Sequence, residues 1–381
     1  MNNNRNNENY YNQSPGRRNS SQTAGQNTNS VKNGRRSARP HTYTPSTAAK
    51  AQNFNWVTLF AALLVLMISV GIFCTSRHMR EASRVNVGTG NDSLLENETQ
   101  SEDINEENQN KISVFYASAA SDTIELSGSI SSDYAILIDL KNNTVKAQKN
   151  PDATIFPASM TKIMTLIVAY ENCKNLDDTF VMTSDITSPL FIAGASVAGF
   201  SNGEAVTIRD MLYGAILPSG ADATDALAIY TAGSIEKFVE MMNRKVLEMG
   251  LSNTHFVNPS GLHDDDHYST VHEIALILEY AMQIEECRKI LSTYQYTTRP
   301  TSYHPEGLLL TSTMFSRMAG DESGVAEVLG GKTGFTNEGK HCLASFAKLS
   351  DGSEYVLVTA HAQSTYDPIY DCINVYKNIF G

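Results

Sequence analysis

The 381-residue sequence predicts an α/β chain of the α+β type. An antiparallel sheet, made of strands from both ends of one domain, should pack with helices and carry a helical insert, behind a single transmembrane helix. Three observations predict this. Residues 56–74, "WVTLFAALLVLMISVGIFC", hold no charge, and about 20 such residues span a bilayer's hydrocarbon core. Period-two alternation begins near residue 126, and three further strand-like runs lie close to the C-terminus. Segments of helical period lie between those two regions.

Residues 1–55 are rich in Asn, Ser, Arg and Thr and nearly free of large aliphatics. They cannot bury enough apolar surface to offset the entropy of ordering, so they read as a disordered cytoplasmic tail. The tail is basic: Arg5, Arg17, Arg18, Lys32, Arg35, Arg36, Arg39 and Lys50 stand against Glu8 alone, while the whole chain is net −12. RNA binding is the rival reading of this tail. Its stacking groups are few, Tyr10, Tyr11 and Tyr43 with Phe54 next to the apolar span, so no nucleic acid partner is expected.

Residues 56–75 are taken as the membrane anchor, because polar stretches on both sides argue against a buried core helix. The leader is too long for a cleaved signal peptide. "GIFC" also lacks the small residue that precedes a lipoprotein cysteine. The basic tail favours the inside, placing the rest of the chain on the extracytoplasmic side of the cell membrane. Arg77, Arg80 and Arg84 beyond the span blur that asymmetry. Residues 76–125 read as an acidic flexible linker, and residues 126–381 as the functional domain.

Within the domain, "DYAILIDLKNNTVKAQKN" gives two strands around "KNNT", a hairpin. A helix opened by Ser159 runs to about Cys173, with Pro157 just before it and serine favoured at its start. "VTIRDMLYGAILPSGADATDALAIYTAG" reads as two helices broken at Pro218-Ser219-Gly220. "SIEKFVEMMNRKVLEMG" sets Ile235, Phe238, Met242 and Val246 on one stripe, and Gly250 stops it. "NPSGLHDDDHYST" is a loop and "TVHEIALILEYAMQIEECRKIL" a single helix. "VLGGKTGFT", "HCLASFAKLS" and "EYVLVTAHA" are three strands, with "SDGS" turning the last pair. "DPIYDCINVYKNIF" closes the chain as a helix with Pro368 in its first turn. Cys173, Cys287, Cys342 and Cys372 allow three pairings, and no essential disulfide is expected.

The chemistry starts from Ser159 and Lys162, one helical turn apart and so on one face. A serine hydroxyl attacks only when something accepts its proton. A lysine can accept it only as the neutral amine, which burial, a nearby positive charge and a helix N-terminus all favour. The start of the helix also offers N–H groups to an oxyanion. Ser-x-x-Lys recurs at Ser234/Lys237, where Ser234 reads as a helix cap, and at Ser345/Lys348, on opposite faces of a strand. Only Ser159 has an apolar helix behind it and further motifs at suitable places. Lys332-Thr333-Gly334 opens a strand flanked by glycines that admit a ligand to the backbone. Ser219-Gly220-Ala221 lies between the two.

These three elements together are a set shared by class A β-lactamases and penicillin-binding proteins. With "PASMTK", "NPSGLHDDDHYST" and "GGKTGFTNEGKHCLASFA", residues 126–381 resemble the low-molecular-mass penicillin-binding proteins, the serine D-alanyl-D-alanine carboxypeptidases. The resemblance implies the penicillin-binding/β-lactamase-like fold, with peptidoglycan stem peptides ending in D-Ala-D-Ala as substrate and β-lactams as inhibitors. It implies Ser159 as nucleophile, Lys162 as proton acceptor and Ser219 as a relay toward the leaving amine. Lys332 would add positive potential and draw the substrate carboxylate, and Thr333 would hydrogen-bond it. Gly334 and Phe335 complete the substrate-binding strand, with the N–H groups of Ser159 and Phe335 as the oxyanion hole.

Two departures stand out. Ala221 occupies the place where the family usually has asparagine, which motivates the alternative of a penicillin-recognising scaffold. No Lys or Arg lies between Lys348 and Lys377, where relatives carry a carboxylate-binding arginine. His361 and Arg317 are the candidates to replace it. A β-lactamase would need a placed deacylating glutamate, and Glu236 and Glu240 lie in no recognisable loop for that. His263 and His267 in "HDDDH" invite zinc, but a third protein ligand and a base are not evident. Neither metal nor cofactor is called for, and Asn258 and Tyr268 read as structural.

Overall fold

The computed structural model describes residues 114–318 and 323–381. The tail, the expected span at 56–75 and most of the linker lie outside the described residues. Among those described, no helix is long and apolar enough to cross a membrane.

Six strands form the main sheet: β1 (Ser118–Glu125), β2 (Tyr134–Asp139), β3 (Thr144–Lys149), β8 (Ala326–Thr336), β9 (Lys340–Leu349) and β10 (Glu354–Ala362), in the order β1-β3-β2-β10-β9-β8. The first hairpin therefore meets the C-terminal meander along β2–β10, with Leu137 opposite Leu357. Two small ribbons pair β4 (Thr179–Val181) with β5 (Ala205–Thr207) and β6 (Gln295–Thr297) with β7 (Leu309–Thr311). The helices are α1 (Lys162–Asn172), α2 (Ser184–Ile192), α3 (Ile208–Ile216), α4 (Ala221–Ala232), α5 (Ile235–Glu248), α6 (Val271–Gln283), α7 (Glu285–Leu291), α8 (Thr313–Met318) and α9 (Asp367–Phe380).

Alternation along the strands divides the core in two. Ile136 and Ile138 of β2 face a large apolar body that includes Ile163, Ile167, Leu212, Leu227 and Ile277. Ala135 and Leu137 face the other way, onto Ile369, Cys372, Val375 and Tyr376 of α9. On α5 the expected stripe is real: Phe238, Met242 and Val246 are buried, and the Ser234 hydroxyl caps the helix by accepting the Lys237 N–H.

The structure corrects four expectations. The linker ends before residue 125, because Ser118–Glu125 pairs with β3. Its polar, mostly exposed sequence has no apolar alternation to announce a strand. The ladder holds it, helped by the Thr123 hydroxyl donating to the Val145 carbonyl at 2.7 Å. That pairing is parallel, so the sheet is mixed rather than wholly antiparallel. The helix expected after Thr270 is two helices, broken where Ile284 turns extended (φ −96°, ψ 112°). Ser159 does not cap α1. It sits inside a 3₁₀ turn, Ala158–Thr161, and the α-helix proper starts at Lys162.

Upstream of β1, Tyr116 donates its hydroxyl to Glu273, a fully buried carboxylate that also accepts from the Asn253 N–H and the Thr254 hydroxyl. The four described cysteines are free thiols, with Cys287, Cys342 and Cys372 buried.

Candidate active site

The apolar run that enters α1 is broken at Thr161, just before the helix, and at Lys162 and Thr165 within it, and one loop accounts for all three. The Thr165 hydroxyl donates to the Pro259 carbonyl at 2.6 Å, and the Lys162 ammonium nitrogen reaches the Ser260 carbonyl. Thr161 Oγ1 lies 2.7 Å from His267 Nε2. His267 Nδ1 accepts from the Val257 N–H at 3.2 Å, so Nε2 carries the proton and donates to Thr161. Burial pushes the His267 pKa down to about 4, keeping that ring neutral. Both nitrogens are thus engaged inside the protein. His263 instead faces Asp265 and Glu338. Among the described residues no group of three or more His, Cys, Asp or Glu could hold a metal ion.

The loop is itself braced by Asn258, whose Oδ1 accepts from the N–H groups of Ser260, Gly261 and Leu262. Tyr268 bridges to His255. Gly261 (φ +78°) packs so closely that a Cβ would lie 1.9 Å from the Ala158 carbonyl oxygen. Ala158 itself adopts φ 49°, a conformation costly for a residue with a Cβ. Pressure from the loop on one side and β8 on the other holds the turn that presents Ser159. On the β8 side, a Cβ at Gly334 would come within 3.2 Å of the Ser159 nitrogen.

Lys162 Nζ donates to Ser159 Oγ at 3.1 Å. The amine is 2% exposed, and burial lowers its pKa to about 7 against the opposing pull of Asp225 and Asp222. Desolvation therefore prepares this base. Across the cleft, Lys332 Nζ donates at 2.8 Å to both Ser219 Oγ and the Thr333 carbonyl. Lys332 is 1% exposed. Its pKa is pushed well down, first by burial and then by the positive charges of Lys162 and Arg317. Burial thus works against the positive charge expected of Lys332.

Ser219 adopts φ 67° at the break between α3 and α4, which turns its hydroxyl toward β8. The break is pinned by Asp222, whose carboxylate accepts from the N–H groups of Ala198, Gly199 and Phe200. Thr333 Oγ1 lies 2.7 Å from Thr313 Oγ1. Arg317, one turn along α8 from Thr313, enters no ion pair among the described residues, and its charge is felt at both Lys332 and His341. His361 is committed to Asp133 Oδ2 at 2.6 Å, so it does not offer the missing cation. Ser159, Lys162, Ala221, Ser260, Gly261, His263, Phe335 and Glu338 line a cavity of about 300 Å³.

The sequence motifs thus converge: Ser159 with Lys162, Ser219 with Lys332, and Thr333, Gly334 and Phe335 along the adjoining strand. Sequence reasoning missed the Ser260 carbonyl, Thr313 and Asp225. The first two are non-local contacts with no local signature. Asp225 was readable as the residue one turn beyond Ala221 on the same helix face.

A sequence model of the peptidase S11, D-alanyl-D-alanine carboxypeptidase family matches residues 118–364. The chain is 35% identical over 217 residues to the D-alanyl-D-alanine carboxypeptidase DacF of Bacillus subtilis, covering 56% of this chain and 53% of the relative. It is 31% identical over 224 residues to the D-alanyl-D-alanine carboxypeptidase of Streptomyces sp. strain K15, covering 57% of this chain and 76% of that one. The crystal structure of the Streptomyces K15 DD-transpeptidase superposes with a TM-score of 0.59 at 27% identity, covering 66% of this chain and 97% of that one. Penicillin-binding protein 5 from Haemophilus influenzae gives 0.57 at 26% identity, covering 64% and 69%. The chain spans about half the length of the first curated relatives it matches. With its motifs assembled around one cleft, this chain belongs to the D-alanyl-D-alanine carboxypeptidase family, peptidase family S11.

Proposed function

We propose that this protein is a membrane-anchored serine D-alanyl-D-alanine carboxypeptidase and a target of β-lactams. It would be held by the span at 56–75, with its domain on the extracytoplasmic side of the cell membrane. The observation that carries the enzymatic reading is the buried Lys162 amine, 3.1 Å from Ser159 Oγ, with its pKa lowered to about 7.

The Ser159 hydroxyl attacks the carbonyl between the last two D-alanines of a peptidoglycan stem peptide. The O–H bond breaks, its proton passes to Lys162, and an Oγ–C bond forms. The N–H groups of Ser159 and Phe335 hold the oxyanion. As the C–N bond breaks, the proton held by Lys162 passes by way of Ser219, which Lys332 orients, to the departing D-alanine amine, leaving Lys162 neutral again. Water then hydrolyses the ester and frees Ser159. The substrate's terminal carboxylate lies along β8 near Thr333, where its negative charge restores the ammonium of Lys332 and Arg317 completes its recognition. Penicillins acylate the same serine.

The deciding experiment incubates the purified outer domain with a D-Ala-D-Ala pentapeptide and follows free D-alanine. Release by the wild type, absent in Ser159→Ala, supports the reading. A second reading, a penicillin-recognising scaffold without turnover, is motivated by Ala221. It predicts neither D-alanine release nor a covalent penicillin adduct.

A further inference from the structure

At its first residue, helix α4 offers a methyl group to the cavity that Ser159 and Lys162 line. Ala221 lines the cavity beside Ser159 and Lys162 and is itself buried. Asp222, the next residue, is spent on the 198–200 backbone and on the Ala223 N–H. The next residue on the face of Ala221 is Asp225, four positions on. Helix α4 packs against α1, which begins with Lys162.

The Asp225 carboxylate is partly buried and enters no salt bridge among the described residues. The cation it feels is Lys162, and it is the leading charge felt by Lys162, ahead of Asp222. Burial raises its own pKa to about 6, and Lys162 opposes that rise.

We propose that Asp225 is the positioning residue for Lys162: an anion one turn beyond Ala221 that steadies the ammonium formed when Lys162 takes the Ser159 proton. The assignment rests on the Ser159–Lys162 reading above. In the acylation step one O–H bond breaks, one N–H bond forms on Lys162, and a positive charge appears in a buried place. Asp225 needs to gain or lose no proton to counter it.

The groups around that charge are few. Helix α4 contributes Asp222 and Asp225, and β8 contributes Lys332. The 252–270 loop brings the neutral His267 and the Ser260 carbonyl, while the turn before α1 brings Ser159. Of the two anions, only Asp225 is not already saturated by backbone N–H groups.

The test measures the second-order rate of acylation by a fluorescent penicillin across the neutral pH range, using the full chain and confirming folding by thermal midpoint. Both carboxylates hold the Lys162 pKa up, so removing one charge lowers it further. Asp225→Asn is expected to acylate about tenfold more slowly at its optimum, with the acid limb displaced to lower pH. A structural role alone would slow the reaction without moving that limb. Adding Ala221→Asn to Asp225→Asn supplies an amide at the vacant place. It should recover the rate to within about threefold of wild type while leaving the limb displaced. Asp225→Glu should keep the wild-type limb, and Asp225→Ser replaces Asp225→Asn if the latter does not fold. If Asp225→Asn matches wild type in rate and limb, or slows with the limb unmoved, this assignment alone falls. A double variant as slow as the single one also overturns it. A wild type that forms no Ser159 adduct overturns it together with the reading it rests on.

Discussion

Lys332 Nζ donates to the Ser219 hydroxyl at 2.8 Å, tying β8 to the break between α3 and α4. The bond joins the two walls of the cleft, one carried by the sheet and the other by the helices. Ser219→Ala removes the acceptor of a fully buried amine and, with it, the relay proposed for the leaving group. Loss of such a partner costs about 1–3 kcal/mol, so acylation should slow about 10- to 100-fold. Stopped-flow binding of a fluorescent penicillin reads this directly, and an unchanged rate would remove Ser219 from the pathway.

The pH response of acylation follows from Lys162. The amine accepts a proton only when neutral, and its pKa is lowered to about 7. The rate should therefore rise with pH, with its half-maximum near neutrality, and fall in acid. A flat profile from acid to alkaline pH would exclude this amine as the base.

The same shift has a stability sign. A lysine whose pKa is lower in the folded chain than in the unfolded one disfavours folding most below the folded value. The penalty is relieved as pH climbs from about 7 toward the unfolded value of 10.5. Lys162→Met should abolish acylation yet leave the thermal midpoint at or above wild type in mildly acidic buffer. A midpoint well below wild type there would contradict the sign.

Gly261 stands where a side chain has no space. Alanine there would press its Cβ against the Ala158 carbonyl at 1.9 Å and adopt φ +78°. Gly261→Ala should displace the Ser159 turn, destabilising the fold by about 3 kcal/mol or more and abolishing adduct formation. Urea unfolding and penicillin labelling measure the two effects independently.

Arg317 is expected to recognise the substrate carboxylate. Removing a charge-assisted contact costs about 1.5–3 kcal/mol. Arg317→Ala should lower kcat/KM for the pentapeptide about 10- to 100-fold and erase its advantage over the same peptide amidated at its C-terminus. If the acid and amide are still distinguished as in the wild type, Arg317 has another role.

Much of this was legible beforehand for physical reasons. β2, β9 and β10 stand out as short apolar runs because both of their faces are buried, β3 alternates because only one of its faces is, and Ser234 and Pro368 announce helix starts through local chemistry. Ser159 and Lys162 were found because polar groups in an apolar helix need a reason to be there, while Lys332 and Ser219 were found through a glycine-flanked motif and its spacing from the other two. β1 was not legible, since an exposed edge strand needs no pattern of its own. The 3₁₀ turn at Ala158–Thr161 was hidden because what packs against it, Gly261, is remote in sequence. The lowered Lys332 pKa depended on burial that only the assembled cleft reveals.

The pairing of β2 with β10 has a consequence for how the chain matures. The sheet's central seam joins segments about two hundred positions apart, so it cannot close until β10 has emerged from the ribosome. Contacts of such separation form slowly. Until the last hairpin arrives, the β2 edge and the Ile136 face stay uncovered and open to pairing with other chains. Nascent molecules truncated before β10 should therefore aggregate rather than accumulate as soluble fragments.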